Sequence, residues 1–402
     1  MTRSSMWFAV LSVLSLGCGG SPAPAADESV TLTVRVRDDL DPRVEAGGAG
    51  LPSCDLPGPD GLMVIDLDGG YAHACAVLSD GRVRCWGQSF AGQLGDGSYA
   101  ERSAPVPARD VTGAVRVGAG RAHTCALLRD GGVMCWGGND HGQLGAARRG
   151  RDVGIGPVHV AGLRGATGLA VGDDHACAID ARGNVLCWGR NNLGQIGDGS
   201  REPRDTPVRI AGVRASYLGA GADSTCAVLT DGRVACWGGV GGSERPSLVA
   251  GLPAPAVTVE VGDASACARL ADGSVFCWGD GSHGQLGPAG EGMSLSPIRI
   301  EGLPPAMTLA HAGTRACITD PAGSLFCWGA RDATAAEASA IREIGGLAPA
   351  RSAGITARAY CASLSNGGVC CWGSNVDGIL GSAVRPFGAP AESSELPVPM
   401  TW

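Results

Sequence analysis

The sequence predicts an all-β protein, a seven-bladed β-propeller with one disulfide-stapled hairpin in each blade. Three observations support this prediction. A Cys-x9-Cys-Trp-Gly pattern occurs seven times in the 402 residues. A glycine stands six residues after the first cysteine of every copy, and short apolar runs separated by turn residues replace any helical period. Regular repetition of one pattern along a chain is typical of stacked or radially arranged units.

The seven copies define units one to seven. Their cysteine pairs are Cys75 with Cys85, Cys125 with Cys135, Cys177 with Cys187, Cys226 with Cys236, Cys267 with Cys277, Cys317 with Cys327, and Cys361 with Cys371. The glycines that they enclose are Gly81, Gly131, Gly183, Gly232, Gly273, Gly323 and Gly367.

Each pair is expected to form a cross-strand disulfide. In unit one, two apolar runs flank Ser-Asp-Gly, which predicts a β-hairpin with a three-residue loop and a left-handed glycine. That loop places Val77 opposite Val83 and Cys75 opposite Cys85. Counting back from the turn, the cysteines fall at a non-hydrogen-bonded pair, where the Cα atoms of the two strands are closest. Each such disulfide should stabilise the fold by about 2–3 kcal/mol.

Two other interpretations of the cysteines compete with the disulfide. Paired free thiols could serve as small core residues. A zinc site is suggested by histidines two residues before three of the pairs, but a site needs about four converging ligands. The other units carry different residues there, so hydrogen bonds to a neighbouring loop or backbone are the favoured role of these histidines. The histidines are His73, His123 and His175, and the other units have Ser224, Ser265, Arg315 and Ala359.

Each unit has four short strand candidates. In unit two these are residues 114–118, 124–128, 132–136 and 157–160, with a glycine-rich loop between the third and the fourth. Four strands per unit favour propeller blades, and seven units would close a ring. The tryptophan after each second cysteine is expected to fill the space between blades.

The first residues have the features of a targeting segment. Residues 1–17 carry Arg3 and an apolar run too short to span a bilayer. They resemble a bacterial lipoprotein signal peptide, which implies lipidation of Cys18, although Ser15 stands where that family usually has Leu. The alternative is an ordinary secretory signal cut among the alanines of residues 23–26. Either interpretation places the mature chain outside the cytosol, where disulfides persist.

The remainder divides into a tether and the propeller. Residues 18–59 are expected to form a tether, with a possible strand at 30–37, and residues 60–402 the propeller. Cys54 and Cys370 are left over from the repeated pairs. They lie just before the first unit and inside the last, which are neighbours in a ring, so we expect a bond between Cys54 and Cys370; the alternative is two free thiols.

The repeat resembles that of a known family. Residues 120–145 read Gly-x-x-His-x-Cys-Ala-Leu-x-x-Asp-Gly-x-Val-x-Cys-Trp-Gly-x-Asn-x-x-Gly-Gln-Leu-Gly, with Gly132 at the first variable position after Gly131. This is similar to the repeat of the regulator of chromosome condensation (RCC1-like) family, and it implies a seven-bladed propeller. The founding member exchanges nucleotide on a small GTPase and binds chromatin. Secreted bacterial relatives include a β-lactamase inhibitor protein, a precedent for extracytoplasmic protein binding.

The net charge and the missing motifs argue against some classes of function. A net charge of −8 and a pI of about 5.4 argue against nucleic-acid binding, which needs a basic surface. No catalytic residue is assigned, because nucleophile-elbow, phosphate-loop and HExxH motifs are missing. Four aspartates beside the hairpin glycines are expected to be turn residues. They are Asp80, Asp130, Asp231 and Asp272.

A polar ligand or Ca²⁺ site at one mouth of the ring is the single ligand site that the sequence suggests. Its candidate residues follow the first strands of their units and are Asp173, Asp174, Asp223 and Asp263. No resident metal or cofactor is expected.

Two functional hypotheses follow. The first is a monomeric, membrane-anchored binding or scaffold module of the bacterial cell envelope, lipid-anchored at the outer membrane or secreted, whose loop face binds a protein or glycan. The second is a lyase or hydrolase with an axial site, for which convergent carboxylates and a histidine in one pocket would be the sign. Guanine-nucleotide exchange follows from the family analogy alone.

Overall fold

The computed structural model describes Cys54 and residues 56–147, 156–329, 335–381 and 393–402. These residues belong to one compact unit, Ala49–Trp402. The predicted signal peptide, Cys18 and the possible strand at 30–37 lie outside the described residues. Strands dominate this part of the chain, as predicted. The two helical segments that the structure describes are a 3-10 turn at Pro59–Gly61 and a short helix, α1, at Ala335–Ser339.

Five four-stranded antiparallel sheets correspond to units one, two, five, six and seven. Units one and two comprise β1 (Val64–Gly69), β2 (His73–Leu78), β3 (Val83–Gly87), β4 (Arg102–Pro107), β5 (Ala114–Ala119), β6 (His123–Leu128), β7 (Val133–Gly137) and β8 (Val158–His159). Units three and four together comprise β9 (Ala166–Val171), β10 (His175–Asp180), β11 (Asn184–Gly189), β12 (Arg204–Ala220), β13 (Ser224–Leu229), β14 (Val234–Gly238) and β15 (Ser243–Leu248).

Unit five comprises β16 (Ala256–Val261), β17 (Ser265–Leu270), β18 (Val275–Asp280) and β19 (Met293–Arg299). Unit six comprises β20 (Thr308–Ala312), β21 (Arg315–Thr319), β22 (Leu325–Trp328) and β23 (Arg342–Ile344). Unit seven comprises β24 (Ala350–Ile355), β25 (Ala359–Leu364), β26 (Val369–Gly373) and β27 (Ser394–Pro399).

Units three and four share one seven-stranded sheet, which differs from the seven separate sheets that the sequence predicts. Its order is β15-β14-β13-β12-β11-β10-β9, and the 17-residue β12 joins the two hairpins. The connection at residues 210–215 is one residue shorter than the equivalent connection at 160–166, so its backbone stays extended and paired. Gly212, with φ of 76°, lets β12 turn between its outer position in unit three and its inner position in unit four.

The disulfide hairpin has the predicted geometry. In unit one the register pairs Val77 with Val83 and Cys75 with Cys85, and the Leu78 amide donates to the Arg82 carbonyl over 2.9 Å. Gly81 has φ of 85°. The two Cα atoms of Cys75 and Cys85 are 4.1 Å apart, the spacing of a non-hydrogen-bonded pair.

The other six units contain the same bridge between residues 10 positions apart, with Cα atoms 4.0 to 4.1 Å apart. In each of them the two cysteines are also directly opposite one another in the strand register. The bonds join Cys125 to Cys135, Cys177 to Cys187, Cys226 to Cys236, Cys267 to Cys277, Cys317 to Cys327, and Cys361 to Cys371. The alternatives of paired free thiols and of zinc ligands therefore do not describe these cysteines.

The structure also joins Cys54 to Cys370, with Cα atoms 6.1 Å apart and a sequence separation of 316. This bond holds the segment before the first sheet against the last sheet. The Asn366 side chain donates to the Cys54 carbonyl nearby.

Seven clusters of buried side chains hold the units together. Each of six clusters combines residues of two successive units, such as Leu94 of unit one with Trp136 of unit two. The remaining cluster joins Leu67 and Trp86 of unit one to Leu380 and Met400 of unit seven. The first and last units are therefore neighbours, and the ring of units is closed.

Removing the long-range disulfide should weaken the fold more than removing one hairpin disulfide. The entropy of loop closure grows with loop length, so Cys54→Ala with Cys370→Ala should lower the free energy of unfolding by about 5 kcal/mol, and Cys75→Ala with Cys85→Ala by about 3 kcal/mol. Guanidinium unfolding under non-reducing conditions measures both losses. Equal losses for the two double variants would refute this ranking.

Candidate functional site

The loop between the third and fourth strands of a unit clamps the next unit. In unit one this loop contains Gly92-Gln93-Leu94-Gly95, and its Gln93 carbonyl accepts the indole N–H of Trp136 in unit two over 2.9 Å. The Gln93 side chain accepts the Ala91 amide of its own loop, and Leu94 is fully buried. A Cβ on Gly95 would lie 2.8 Å from the Trp136 nitrogen. The motif is therefore a packing device.

The same bond recurs round the ring wherever the loop is present. Besides Trp136, four tryptophans donate to a carbonyl of the preceding unit: Trp86 to Ile379, Trp188 to Gln143, Trp237 to Gln195 and Trp328 to Gln285. The two remaining repeat tryptophans, Trp278 and Trp372, follow units four and six, whose sequences lack the loop motif. Tyr360 stacks on Trp372 instead, with ring centroids 5.4 Å apart.

The missing loop of unit four leaves a cleft on this face of the ring. The cleft has a volume of about 510 Å³. Its lining consists of Leu193 and Arg201 from unit three with Gly238, Gly239, Gly242, Ser243, Glu244 and Arg245 from unit four. Leu193 is 42% exposed, and Arg201 pairs with Glu244 over 2.7 Å. We call it the unit-four cleft.

The second site is the axial channel, with a volume of about 330 Å³, between the innermost strands of the units. Alternate residues of these strands face it. The equivalents of Asp68 are mostly Gly or Ala, because a side chain there meets the adjacent strand: a Cβ on Gly219 would lie 2.2 Å from the Val259 carbonyl oxygen. Asp68 in unit one and Glu260 in unit five are the exceptions.

These exceptions belong to an axial cluster of five side chains: Asp66, Asp68, Arg116, Tyr217 and Glu260. Asp66 accepts the Val117 amide over 2.7 Å, and Asp68 accepts the Ala119 amide over 2.9 Å.

Tyr217 connects the other two members of the axial cluster. Its hydroxyl donates to Glu260 over 2.5 Å and accepts from Arg116 over 2.9 Å. The cluster therefore connects four inner strands, β1, β5, β12 and β16.

Burial changes the acidity of these groups. It raises the pKa of Asp68 to about 7 and that of Glu260 to about 7, and it raises the pKa of Asp66 against the opposing charge of Arg116. None of these residues is among those that the sequence predicts to form a site. For Asp68 and Glu260 the available signal is an acidic residue at an inner-strand position that the other units fill with Gly or Ala.

The four predicted aspartates separate into two pairs with different contacts. Asp174 and Asp223 accept hydrogen bonds from the loop glutamines Gln143 and Gln195, over 3.3 and 2.8 Å, and both lie within 3.6 Å of Arg190. Asp173 and Asp263 line the channel. Burial, followed by the charges of Asp263 and Asp174, raises the pKa of Asp173 to about 6.

The hairpin aspartates are turn residues, as expected. Asp80, Asp130, Asp231 and Asp272 each accept the backbone amide two residues later, over 2.8 to 3.0 Å. No group of three or more His, Cys, Asp and Glu side chains in the described ranges is arranged to hold a metal ion. Within the same residues, every helix is too short or too polar to cross a bilayer.

Comparison with known proteins identifies the repeat. Models of the Regulator of chromosome condensation (RCC1) repeat match residues 64–93, 114–143, 166–195 and 256–285, and a second RCC1 model matches 80–127, 130–179, 182–228 and 272–318. Together these matches cover more than half of the chain. The chain belongs to the RCC1 repeat family.

Individual relatives agree with this assignment. The chain is 30% identical over 150 residues to the ultraviolet-B receptor UVR8 of Arabidopsis thaliana, and 30% identical over 142 residues to the probable E3 ubiquitin-protein ligase HERC6 of Homo sapiens. These matches cover 37% and 34% of this chain, and 34% and 14% of the relatives. The chain thus spans about a third or less of the curated relatives that it matches.

Solved structures share the fold. Prp20p of Saccharomyces cerevisiae, described with its binding to Gsp1p and histones, superposes with a TM-score of 0.66 at 19% identity, covering 84% of this chain and 87% of that chain. Human WBSCR16 gives a TM-score of 0.64 at 20% identity, covering 73% and 85%. At these identities the likeness establishes the RCC1 propeller fold.

The histidines of the RCC1 repeats mostly bond to strand side chains of the next unit rather than to loops or backbone. His73 contacts the Thr124 hydroxyl over 2.9 Å, and His175 contacts the Thr225 hydroxyl over 2.8 Å. Each threonine hydroxyl also donates to a loop carbonyl, that of Gln93 or Gln195. At the equivalent contact of His123, the next unit has Ala176, so this buried histidine lacks the hydroxyl partner that His73 and His175 have.

Restoring the missing hydroxyl should stabilise the protein. In Ala176→Thr, the new hydroxyl can bond to His123 and donate to the Gln143 carbonyl, which repeats the arrangement of the neighbouring units. We expect a gain of about 1 kcal/mol, or about 2–3 °C in melting temperature. The matched control is Ala74→Thr, because the equivalent upstream residue there is Ala359. An Ala176→Thr protein no more stable than this control would contradict the prediction.

Proposed function

We propose that this RCC1 propeller is a non-catalytic, extracytoplasmic binding module that holds a protein partner in the unit-four cleft of its loop face. The observation that carries the proposal is the missing Gly-Gln-Leu-Gly loop of unit four. Where the loop is present, it is used to clamp the next tryptophan. Where it is missing, a cleft opens beside an exposed leucine.

The chemistry of the cleft supports a protein partner. Leu193 supplies an apolar contact, while Arg201, Glu244 and Arg245 supply charges round it. An apolar centre with a charged rim is the usual anatomy of a protein interface. The exposed Arg201–Glu244 pair contributes little to folding, so it is free to serve recognition. A glycan partner is the alternative that the test must separate.

We further propose that residues 60–402 act as a seven-bladed ring, in which the seven-stranded sheet counts as two blades. Two disulfide hairpins lie in that sheet, and Gly212 turns β12 between them. Buried clusters between successive units support the same count.

An axial enzyme is the weaker interpretation of the carboxylates in the channel. Asp66 and Asp68 bond to the backbone of the next unit, and Glu260 bonds to Tyr217. Both ring nitrogens of His311, the histidine of the channel, are engaged by Ser265 and by the Arg315 carbonyl. Each of these groups holds neighbouring strands together, so a non-catalytic role suits them better. Guanine-nucleotide exchange rests on family analogy alone.

The disulfides support an extracytoplasmic location for the protein. Eight disulfides in the described residues are typical of a chain that matures in an oxidising, extracytoplasmic environment. We propose that residues 1–17 are a lipoprotein signal peptide and that lipid on Cys18 anchors the monomeric propeller to the cell envelope. The four mouth aspartates remain a proposed polar ligand site.

Partner binding should depend on the unit-four cleft. The oxidised chain captures its partner from envelope extracts, and the captured protein is then purified and titrated against variants. Leu193→Asp and Arg245→Glu should each weaken binding at least about tenfold, because they place charge in an apolar contact or reverse a rim charge. Leu295→Asp, on the outer strand β19 where Leu295 is 86% exposed, is the control and should bind normally.

Two outcomes of the capture experiment would contradict the proposal. Equal affinity of wild type and both cleft variants would exclude the cleft as the binding site. Binding that survives protease treatment of the extract but is lost after glycosidase treatment would replace the protein partner by a glycan.

Lipid anchoring is tested separately. In Cys18→Ser, the chain should move from the membrane fraction to the soluble fraction, and the mass of the N-terminal peptide should lose its acyl groups. An unchanged distribution, with the N-terminus starting among residues 23–26, would support the ordinary secretory signal instead.

A further inference from the structure

We propose that the axial cluster makes the ring pH-sensitive: mild acid tightens the inner strands, and pH above neutrality loosens the contacts of unit one with unit two and of unit four with unit five. This goes beyond partner binding at the loop face and does not depend on it. The proposal rests on the position of the cluster, which lies between inner strands rather than within one unit.

The bonds of the axial cluster cross from unit to unit. The carboxyl groups of Asp66 and Asp68 on β1 accept the amides of Val117 and Ala119 on β5. Tyr217 on β12 bonds to Glu260 on β16. Successive units approach closely at the inner strands, where a Cβ on Gly219 would lie 2.2 Å from the Val259 carbonyl oxygen. A change in charge here therefore acts directly on contacts between units.

The charges of the cluster do not balance when all its acids are ionised. Three carboxylates, those of Asp66, Asp68 and Glu260, face one guanidinium, that of Arg116, which leaves two unbalanced negative charges. Asp66 and Asp68 each use one carboxylate oxygen in the bonds described, and Glu260 does the same. Protonation of two carboxyl groups would make the cluster neutral.

Within the described residues, the other inner strands round the channel bring no second cation. Of the remaining inner strands, β20 contributes His311, whose pKa is lowered to about 4 by burial and which is therefore neutral near pH 7. Strand β9 has no titratable residue, and Arg351 of β24 is exposed and does not line the channel. Asp173 and Asp263 at the mouth add negative charge. Outside the inner strands, Arg269 on β17 interacts with Tyr217, and Arg121 interacts with Asp173 at the mouth.

The acidities set the direction of the effect. Burial raises the pKa values of Asp68 and Glu260 to about 7 in the folded protein, above their ordinary values of 3.8 and 4.5. A carboxyl group with a raised folded pKa stabilises the fold fully below its unfolded pKa, and this stability is lost as pH rises through the folded pKa. The contribution of these two carboxyl groups to stability should therefore fall between about pH 4 and pH 7. Asp68 and Glu260 are only half-buried where they line the channel, so solvent screening reduces the effect. Burial lowers the pKa values of four histidines, so their contribution to stability rises with pH up to about 6.5; they are His73, His123, His175 and His311.

The test follows the melting temperature of the oxidised full-length protein from pH 5 to pH 8. The histidines titrate alike in all the proteins compared, so the effect of the two carboxyl groups appears as a difference from the wild type. The melting temperatures of Glu260→Gln and of Asp68→Asn, each measured relative to the wild type, should rise by at least about 2 °C between pH 5 and pH 8, because each variant replaces one titrating carboxyl by a neutral amide. Asp231→Asn, a change at an exposed hairpin aspartate, is the matched control and should keep the wild-type slope.

A second measurement locates the loosening and needs no variant. Hydrogen exchange of the Val117 and Ala119 amides, corrected for the intrinsic pH dependence and compared with amides of β3, should accelerate at least about threefold between pH 5 and pH 8. Equal protection at both pH values, or a wild-type melting slope that Glu260→Gln and Asp68→Asn leave unchanged, would overturn the proposal.

Discussion

The indole N–H of a repeat tryptophan, donated to a loop carbonyl of the preceding unit, is the contact on which the rest of this ring depends. A single repeat unit cannot bury its apolar faces alone and needs its neighbours to form a core. Trp136 buries its ring against unit one while its nitrogen reaches the Gln93 carbonyl. That bond requires a compact loop that places the carbonyl correctly, which explains the buried glutamine, the buried leucine and the final glycine of the motif. Aromatic residues make up 4% of the chain, and the repeat tryptophans among them are placed where each packs between two units.

Loss of the loop in units four and six shows what the motif leaves free. After unit six, Trp372 stacks on Tyr360 of its own hairpin, and the Tyr360 hydroxyl donates to the Gly329 carbonyl of unit six. After unit four, Val240 packs against the buried cluster that contains Trp278, and the unit-four cleft lies open beside Leu193. The intact loops give most units the same surface, and the unit that lacks the loop has a different one. This is the physical reason for placing partner binding there and not at the intact loops.

The residues that face the axial channel are limited by the space between the inner strands. Crowding of the inner strands restricts most channel-facing positions to Gly, Ala or short polar residues, and side chains large enough to cross the channel are few among the described residues. The side chains of the axial cluster meet in the channel because four inner strands, β1, β5, β12 and β16, each supply at least one of them. Their hydrogen bonds tie units together, while their desolvation opposes ionisation. The same groups are therefore both part of the framework and sensitive to protons.

Sequence by itself determined every feature that repeats locally. The Cys-x9-Cys spacing and the hairpin glycine fix the strand register, so the seven hairpin disulfides and the roles of Asp80 and its equivalents were predictable from the chain. Tertiary structure alone decided what depends on contacts between units: the merged sheet at β12, the axial cluster, the missing hydroxyl partner of His123 and the unit-four cleft. These features join residues that lie about one repeat or more apart, and no local period records which side chains meet across that distance. The four predicted aspartates illustrate the limit, because Asp173 and Asp263 line the channel while Asp174 and Asp223 bond to loop glutamines, and no local pattern separates the two pairs.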